Sequence, residues 1–175
     1  NKRCVFFSRL HKQKGLDILI DAWSDLNNKD WKLDIVGYGN QEYYKSKIKN
    51  SNTKNIKFLK PISSPKKKNK LFDNYDLLVL PTISENFGLV ILESLSRGLP
   101  VLTTNETPWE NIQTNNAGWI INYSIIELKL VLFKIFNSKK KDLISKKKNA
   151  INLAKKYSKE KLSDKYFQVY KTLIK

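Results

Sequence analysis

The chain has 175 residues, of which 41% are hydrophobic, and its formal net charge is +17. This length is sufficient for one domain with a complete hydrophobic core, and the composition is that of a globular rather than a disordered protein. No apolar run reaches the roughly 18 residues that a membrane-spanning helix requires, and the single cysteine excludes an intrachain disulfide.

The positive charge comes almost entirely from lysine, since arginine occurs only at positions 3, 9 and 97. Proteins that read nucleic-acid bases rely mainly on arginine, so the sequence favours a solvated lysine-rich surface and no nucleic-acid partner. The alternative is attraction to an anionic membrane surface. The candidate residues for that contact form two groups, Lys66, Lys67, Lys68 and Lys70, and Lys139, Lys140, Lys141, Lys146, Lys147 and Lys148.

The first half of the chain alternates predicted strands with predicted helices. Short apolar segments predict strands at residues 4–7, 31–36 and 56–59. Apolar side chains at helical spacing predict an amphipathic helix at residues 15–26. Further helices are predicted after the second and third strands, at residues 41–49 and 65–74. Cys4 lies in the first strand, where a buried and inert thiol is expected.

The second half continues the alternation. The continuously apolar segment 77–80 predicts a fully buried fourth strand. The helix predicted over 88–97 ends at Gly98 and Pro100. The remaining elements are strands at 101–103 and 117–121 and helices at 125–136, 140–156 and 159–173. Such alternation with short connections indicates a doubly wound α/β fold, a parallel sheet with helices on both faces.

Ligands of doubly wound sheets bind beyond the carboxyl ends of the strands, where this chain places the loops 9–15, 37–39 and 84–88. The first loop carries Arg9 and Lys14, which are either a clamp for a diphosphate or ordinary surface cations. His11 in the same loop is expected to be solvated.

The loop 84–88 and the helix after it carry two carboxylates, Glu85 and Glu93. Side chains on a helix lean toward its N-terminus, so Glu93 can point back toward the loop. Free backbone N–H groups at the helix start favour an anion such as phosphate. These features suit a nucleotide sugar, whereas paired carboxylates also leave a hydrolase open.

Two further motifs are less specific. The Gly37-Tyr38-Gly39 turn lacks the third glycine of a dinucleotide fingerprint, because Glu42 stands there, and it indicates a tight turn that a ligand or another backbone segment approaches closely. Trp109, after the fifth strand, either packs down on the core or forms a lip of the site. The sequence contains no His, Cys and Asp cluster with metal-ligand spacing.

Taken together, the motifs resemble the C-terminal, donor-binding domain of retaining GT-B glycosyltransferases of the large group 1, or family four, type. The resemblance covers nearly the whole chain, and it is carried by Ser8-Arg9-Leu10…Lys14-Gly15, Gly37-x-Gly39, Tyr75-Asp76…Leu80-Pro81, Glu85-x-Phe87-Gly88…Leu92-Glu93 and Gly98-x-Pro100-Val101. It implies a Rossmann-like parallel sheet of six strands in a single domain, 1–175. It also implies an acceptor-binding domain before residue 1, so that this chain alone binds donor and transfers little sugar.

The resemblance implies a role for each site residue. Arg9 and Lys14 would neutralise the donor diphosphate as leaving group, Glu85 would hold the transferred sugar, and Glu93 would accept hydrogen bonds from the ribose hydroxyls. The other implied donor contacts are Gly37, Gly39, Leu59, Lys60, Asn86, Phe87, Gly88 and Leu89. The reaction would be hexosyl transfer with retention from a UDP-, GDP- or ADP-sugar to a glycan or glycolipid acceptor, without cofactor or metal.

The sequence departs from the family pattern at three places. Lys60 and Asn86 stand where glycine is usual, and Thr107-Pro108-Trp109-Glu110 replaces the frequent Gly-Gly-x-x-Glu. This last variant is similar to enzymes that build bacterial surface polysaccharide or lipopolysaccharide, which implies a cytoplasmic location with peripheral contact to the inner membrane face. The rival hypothesis from another class is a basic α/β module that binds an anionic membrane or nucleic acid without catalysis.

Overall fold

The computed structural model describes residues 2–51 and 53–157. Its centre is a sheet of six strands in the order β3-β2-β1-β4-β5-β6, and every neighbouring pair is parallel. The strands are β1 (Arg3–Phe7), β2 (Lys32–Val36), β3 (Ile56–Leu59), β4 (Leu77–Leu80), β5 (Val101–Thr104) and β6 (Gly118–Ile121). The doubly wound, six-stranded sheet predicted from the sequence is therefore confirmed.

Seven α-helices lie in the described part of the chain: α1 (Leu16–Leu26), α2 (Gln41–Asn50), α3 (Pro65–Phe72), α4 (Leu89–Ser96), α5 (Asn111–Thr114), α6 (Ile125–Phe136) and α7 (Lys140–Ala154). Short 3₁₀ turns occur at Lys12–Lys14 and Lys155–Tyr157. The sequence did not predict α5, a single turn without an apolar stripe. The predicted helix over 159–173 lies outside the described residues.

The helices cover the two faces of the sheet in pairs. The β1–α1–β2 and β4–α4–β5 crossovers move in opposite directions along the sheet, and because such crossovers are right-handed, α1 and α4 lie on opposite faces. Helix α6 packs on α1, and α7 packs on α4. None of the helices among residues 2–51 and 53–157 is long and apolar enough to cross a membrane.

A buried polar network joins three neighbouring strands near their amino ends. The Asp34 carboxylate, 3% exposed, accepts hydrogen bonds from the Arg3 guanidinium at 2.5 Å and from the Tyr75 hydroxyl at 2.7 Å. The Arg3 guanidinium also lies 4.8 Å from the centroid of the Tyr75 ring. The network therefore ties β1 and β2 to the turn that precedes β4.

We expect Tyr75→Phe to lower the free energy of unfolding by about 2 kcal/mol, because it removes a hydrogen bond to a buried carboxylate. Urea unfolding measures this, with the more exposed Tyr123→Phe as the control, expected within about 0.5 kcal/mol of the parent protein.

Burial and the Asp34 carboxylate also raise the pKa of Tyr75. The native state thus holds this proton more tightly than the unfolded chain does. The resulting stabilisation is complete below about pH 10 and is lost above it, so the variant should respond less to alkali.

Candidate functional site

The sequence order of the strands reverses between β1 and β4, which lie side by side at the middle of the sheet. Parallel sheets bind ligands in the crevice that forms at such a point, beyond the carboxyl ends of the strands. A cavity of about 290 Å³ occupies this position. The residues that line it are Phe7, Ser8, Arg9, Gly37, Tyr38, Ile62, Lys68, Leu89, Val90 and Glu93.

Lys14 and Glu85 meet beside this cavity. The Lys14 Nζ atom lies 2.7 Å from Glu85 Oε2, and the two side chains are only 12% and 19% exposed. The backbone joins the same two loops, because the Gln13 carbonyl accepts hydrogen bonds from the Ile83 amide at 2.7 Å and the Thr82 hydroxyl at 2.9 Å. The loop after β1 and the loop after β4 thus form one connected unit, which carries Arg9, Lys14 and Glu85.

Gly15 permits the close contact between these loops. Its φ of +71° is in the left-handed region, and a Cβ atom there would lie 1.7 Å from the Pro81 carbonyl oxygen. Any larger residue would therefore push the two loops apart. For the same reason α1 begins one residue later than predicted, with Gly15 as its N-cap.

The Gly37-Tyr38-Gly39 turn packs against the backbone of the β1 loop. A Cβ atom on Gly37 would lie 1.8 Å from the Ser8 carbonyl oxygen, and the Leu10 amide donates to the Tyr38 carbonyl at 2.7 Å. Gly39 forms an isolated parallel bridge with Leu10. Of the two explanations that the sequence offered for these glycines, the close approach of another backbone segment is the one observed, while Gly37 also lines the cavity.

Helix α4 begins at the floor of the cavity. Gly88 is its N-cap, with φ +71° and no side-chain capping bond, so α4 starts at Leu89 rather than at Gly88. The first amides of a helix have no partner within the helix, and here they belong to Leu89 and Val90, which line the cavity. Glu85 lies next to this helix start, since its Cγ atom is 3.0 Å from the Cβ position of Gly88.

Glu93 forms an ion pair that the sequence did not predict. Its Oε1 atom lies 2.5 Å from Lys68 Nζ, and the side chains are 33% and 17% exposed. Lys68 had been assigned to the basic surface together with its neighbours. It lies four residues before the buried Phe72 on α3, and this spacing was the sequence signal for an inward-facing position. Tyr38 and Ile62 are other lining residues that were missed.

Trp109 packs against the loop that precedes α4. It is fully buried, and its Nε1 atom donates a hydrogen bond of 2.5 Å to the Phe87 carbonyl. Its ring also contacts those of Phe87 and Tyr157, with centroids 5.4 and 4.8 Å apart. The packed-down interpretation of the Trp109 side chain is therefore confirmed. That the loop 107–110 forms a lip of the donor site stays a prediction.

Some predicted donor contacts lie outside the cavity. Leu59 pairs with Val36 at the end of β3, and the exposed Lys60 follows it, but the lining residue from this connection is Ile62. Gly39 and the loop residues Asn86, Phe87 and Gly88 do not line the cavity either. The structure thus brings together Arg9, Gly37, Leu89 and Glu93 in the cavity, with Lys14 and Glu85 beside it.

The remaining candidate groups do not line the cavity. Cys4 is fully buried, and burial together with nearby carboxylates raises the pKa of its thiol well above the ordinary value, which confirms an inert thiol. His11 is exposed, and its Nδ1 atom accepts a hydrogen bond from the Gln13 amide. Residues 2–51 and 53–157 contain no group of three or more His, Cys, Asp and Glu side chains that could hold a metal ion.

The strand order, the crevice and the helix start that faces it define a Rossmann-like domain of the kind that forms the C-terminal half of GT-B enzymes. Residues 1–156 match the family model of the glycosyl transferases group 1, and the chain belongs to this family of glycosyltransferases. The resemblance to the C-terminal domain of group 1 glycosyltransferases with the GT-B fold is thereby confirmed.

Three relatives illustrate this membership. The C-terminal domain of LpcC, a group 1 family protein from Francisella tularensis, superposes with a TM-score of 0.80 at 23% identity, covering 90% of this chain and 86% of that one. HepE from Anabaena, solved in complex with UDP-glucose, gives a TM-score of 0.74 at 24% identity over 88% of this chain and 44% of its own. CapM of Staphylococcus aureus, a capsular polysaccharide biosynthesis glycosyltransferase, is 25% identical over 122 residues, which are 66% of this chain and 31% of CapM.

The chain spans between 26% and 46% of the length of the curated relatives that it matches.

Proposed function

We propose that this chain is the donor-binding domain of a retaining glycosyltransferase that takes a UDP-, GDP- or ADP-sugar. The observation that carries the proposal is the convergence of two cations, two carboxylates and a helix start at the switch point of one parallel sheet. A nucleoside diphosphate sugar presents the matching groups, which are a diphosphate and two sets of hydroxyls. The complex of the related HepE with UDP-glucose supports this ligand class.

In this proposal each charged residue of the site binds a particular group of the donor. Arg9 and Lys14 neutralise the diphosphate and stabilise it as the leaving group, and the amides at the start of α4 contribute further positive potential. Glu85 accepts hydrogen bonds from the hydroxyls of the transferred sugar. Glu93 accepts hydrogen bonds from the ribose hydroxyls. The chain's own residues thus bind and orient the donor.

The ion pairs favour this proposal over a hydrolase. A pair of carboxylates that acts by general acid and base catalysis needs one of its members protonated. Here Glu85 is paired with Lys14 and Glu93 with Lys68, at 2.7 and 2.5 Å. Each carboxylate already has a lysine partner, so neither is placed as one half of a carboxylate pair that acts together on a water molecule.

The wider assignment rests on relatives and on the family pattern. We propose that the acceptor, a glycan or glycolipid, binds to an N-terminal domain outside this chain, and that transfer occurs with retention and without a metal. The similarity to CapM supports a role in bacterial surface polysaccharide synthesis. Such a pathway places the enzyme in the cytoplasm, at the inner face of the membrane.

Peripheral contact with an anionic membrane depends on the exposed lysines. Several of the candidate lysines are engaged inside the domain: Lys68 with Glu93, Lys147 with Asp76 at 2.7 Å, and Lys146 over the Trp119 ring at 4.5 Å. Burial lowers the pKa of Lys146, which further sets it apart from a solvated surface cation. The exposed remainder, Lys66, Lys67, Lys70, Lys139, Lys140, Lys141 and Lys148, is left for an electrostatic membrane contact.

Calorimetric titration of the 175-residue chain with UDP, GDP and ADP tests the proposal. We expect one of the three to bind, and we expect Glu93→Ala to weaken that binding by at least about tenfold, because it removes an acceptor for two hydroxyls. Glu42→Ala is the matched control, since Glu42 is 87% exposed and lies on α2. A folded chain that binds none of the three nucleotides would refute the proposal. Salt-sensitive binding to acidic vesicles that ignores Glu93→Ala would favour the basic-module alternative.

A further inference from the structure

Lys68 occupies an inward position on α3, whose other lysines are exposed. Its side chain is 17% exposed, while Lys66, Lys67 and Lys70 on the same helix are exposed. A partly buried ion pair of this kind usually adds little to the stability of a fold. Fold stability alone therefore gives no reason for a lysine at this position.

The surroundings of Lys68 connect it to the cavity. Its Nζ atom bonds Glu93 Oε1 and lies 5.7 Å from the centroid of the Phe7 ring. Lys68, Glu93 and Phe7 all line the cavity at the switch point. The ammonium group thus holds one carboxylate oxygen of Glu93, and the second oxygen, Oε2, makes no hydrogen bond to a described residue.

We propose that Lys68 is a positioning residue for ribose recognition, which holds Glu93 so that its second carboxylate oxygen is presented to the ribose hydroxyls. The inference rests on the proposed function, in which Glu93 binds the ribose of the donor. A glutamate side chain has several rotatable bonds, and an ion pair that fixes its rotamer before binding removes part of the entropic cost of association. In this proposal Lys68 acts through Glu93.

A double-mutant cycle with two ligands tests this step. The proteins are the parent chain, Lys68→Met, Glu93→Gln and the double variant, and the ligands are the best-bound nucleoside diphosphate and its 2′,3′-dideoxy form. We expect each single variant to lower the affinity for the ribose form by about tenfold, and the double variant to bind no more weakly than Glu93→Gln alone. The affinity for the dideoxy form should be the same in all four proteins, because it lacks the hydroxyls that Glu93 binds.

Two further variants complete the design. Lys67→Met, on the exposed side of α3, is the matched control and should bind both ligands as the parent does. Lys68→Arg keeps a cation beside Glu93 and should retain most of the affinity for the ribose form. A loss in Lys68→Met that Lys68→Arg does not share is therefore due to the missing cation.

The outcomes separate the inference from the function on which it rests. If Lys68→Met weakens the ribose and dideoxy forms equally, or if its effect adds to that of Glu93→Gln, Lys68 contacts the nucleotide directly and the inference is overturned. An unchanged affinity in Lys68→Met would also overturn it, and the proposed function would stand. If the parent chain binds no nucleoside diphosphate, the proposed function fails and the inference fails with it.

Discussion

Lys14→Ala is expected to lower the affinity for a nucleoside diphosphate by about 100-fold, and to leave the affinity for the corresponding nucleoside unchanged. The variant removes a charge-assisted contact to the diphosphate, worth about 1.5–3 kcal/mol. It also leaves Glu85, which is 19% exposed, without its cation beside the bound diphosphate. Repulsion between that carboxylate and the ligand adds to the loss. Parallel titrations with the nucleoside diphosphate and the free nucleoside measure both effects.

Lys12→Ala is the matched control for this prediction. Lys12 belongs to the same 3₁₀ turn, carries the same charge and is exposed, whereas Lys14 is only 12% exposed and pairs with Glu85. Its replacement should change the affinity by less than about twofold at moderate salt, because surface charges are screened. Equal losses in the two variants would show that the chain attracts anions only through its net charge, and that Lys14 has no specific role.

Gly15→Ala is expected to lower the free energy of unfolding by about 3–5 kcal/mol, the sum of a left-handed backbone cost and a steric clash. The clash is with backbone, since the new Cβ atom would lie 1.7 Å from the Pro81 carbonyl oxygen. The chain must respond by separating the loops that carry Lys14 and Glu85. We therefore expect nucleotide affinity to fall as well, even at temperatures at which the variant remains folded. Urea unfolding and calorimetry on the same preparation measure the two losses.

Gly98→Ala separates the cost of the left-handed backbone from the cost of the steric clash. Gly98 has nearly the same positive φ, +69° against +71°, but the atoms nearest to its Cβ position are those of the Ile151 side chain at 3.2 Å and the Lys147 carbonyl oxygen at 3.3 Å, which is far longer than 1.7 Å. A side chain can move, so this variant should show mainly the backbone cost of about 1–2 kcal/mol and normal nucleotide affinity. If the two glycine variants were equally stable, the close contact of the β1 and β4 loops would not be the reason for Gly15.

The architecture could be predicted because its signals are local. The strands are short and mainly apolar segments, and the fully buried β4 is apolar at every position. The errors at helix starts are also local, since Gly15 and Gly88 have positive φ and cap α1 and α4 instead of joining them. Helix α5 was missed because a single turn has too few residues for a periodic pattern.

The site could be predicted only in part, because its contacts join distant segments. That Arg9, Lys14, Glu85 and Glu93 lie at one edge of the sheet was predicted, since each is in a recognisable motif at a strand end or a helix start, and their roles stay predictions. The bond from Trp109 to the Phe87 carbonyl crosses from the loop after β5 to the loop after β4, and no sequence pattern encodes it. Lys68 was missed for a different reason. Because it is charged, it was assigned to the exposed surface, although its helical spacing from the buried Phe72 indicates an inward-facing position.

A crystal structure of the chain with its best-bound nucleoside diphosphate tests the central claim most directly. We predict that the diphosphate lies between Arg9 and Lys14 at the start of α4, with the ribose hydroxyls within hydrogen-bond distance of Glu93. A nucleotide bound on the exposed lysines of α3 or α7, or bound in the crevice with its ribose directed away from Glu93, would contradict this account.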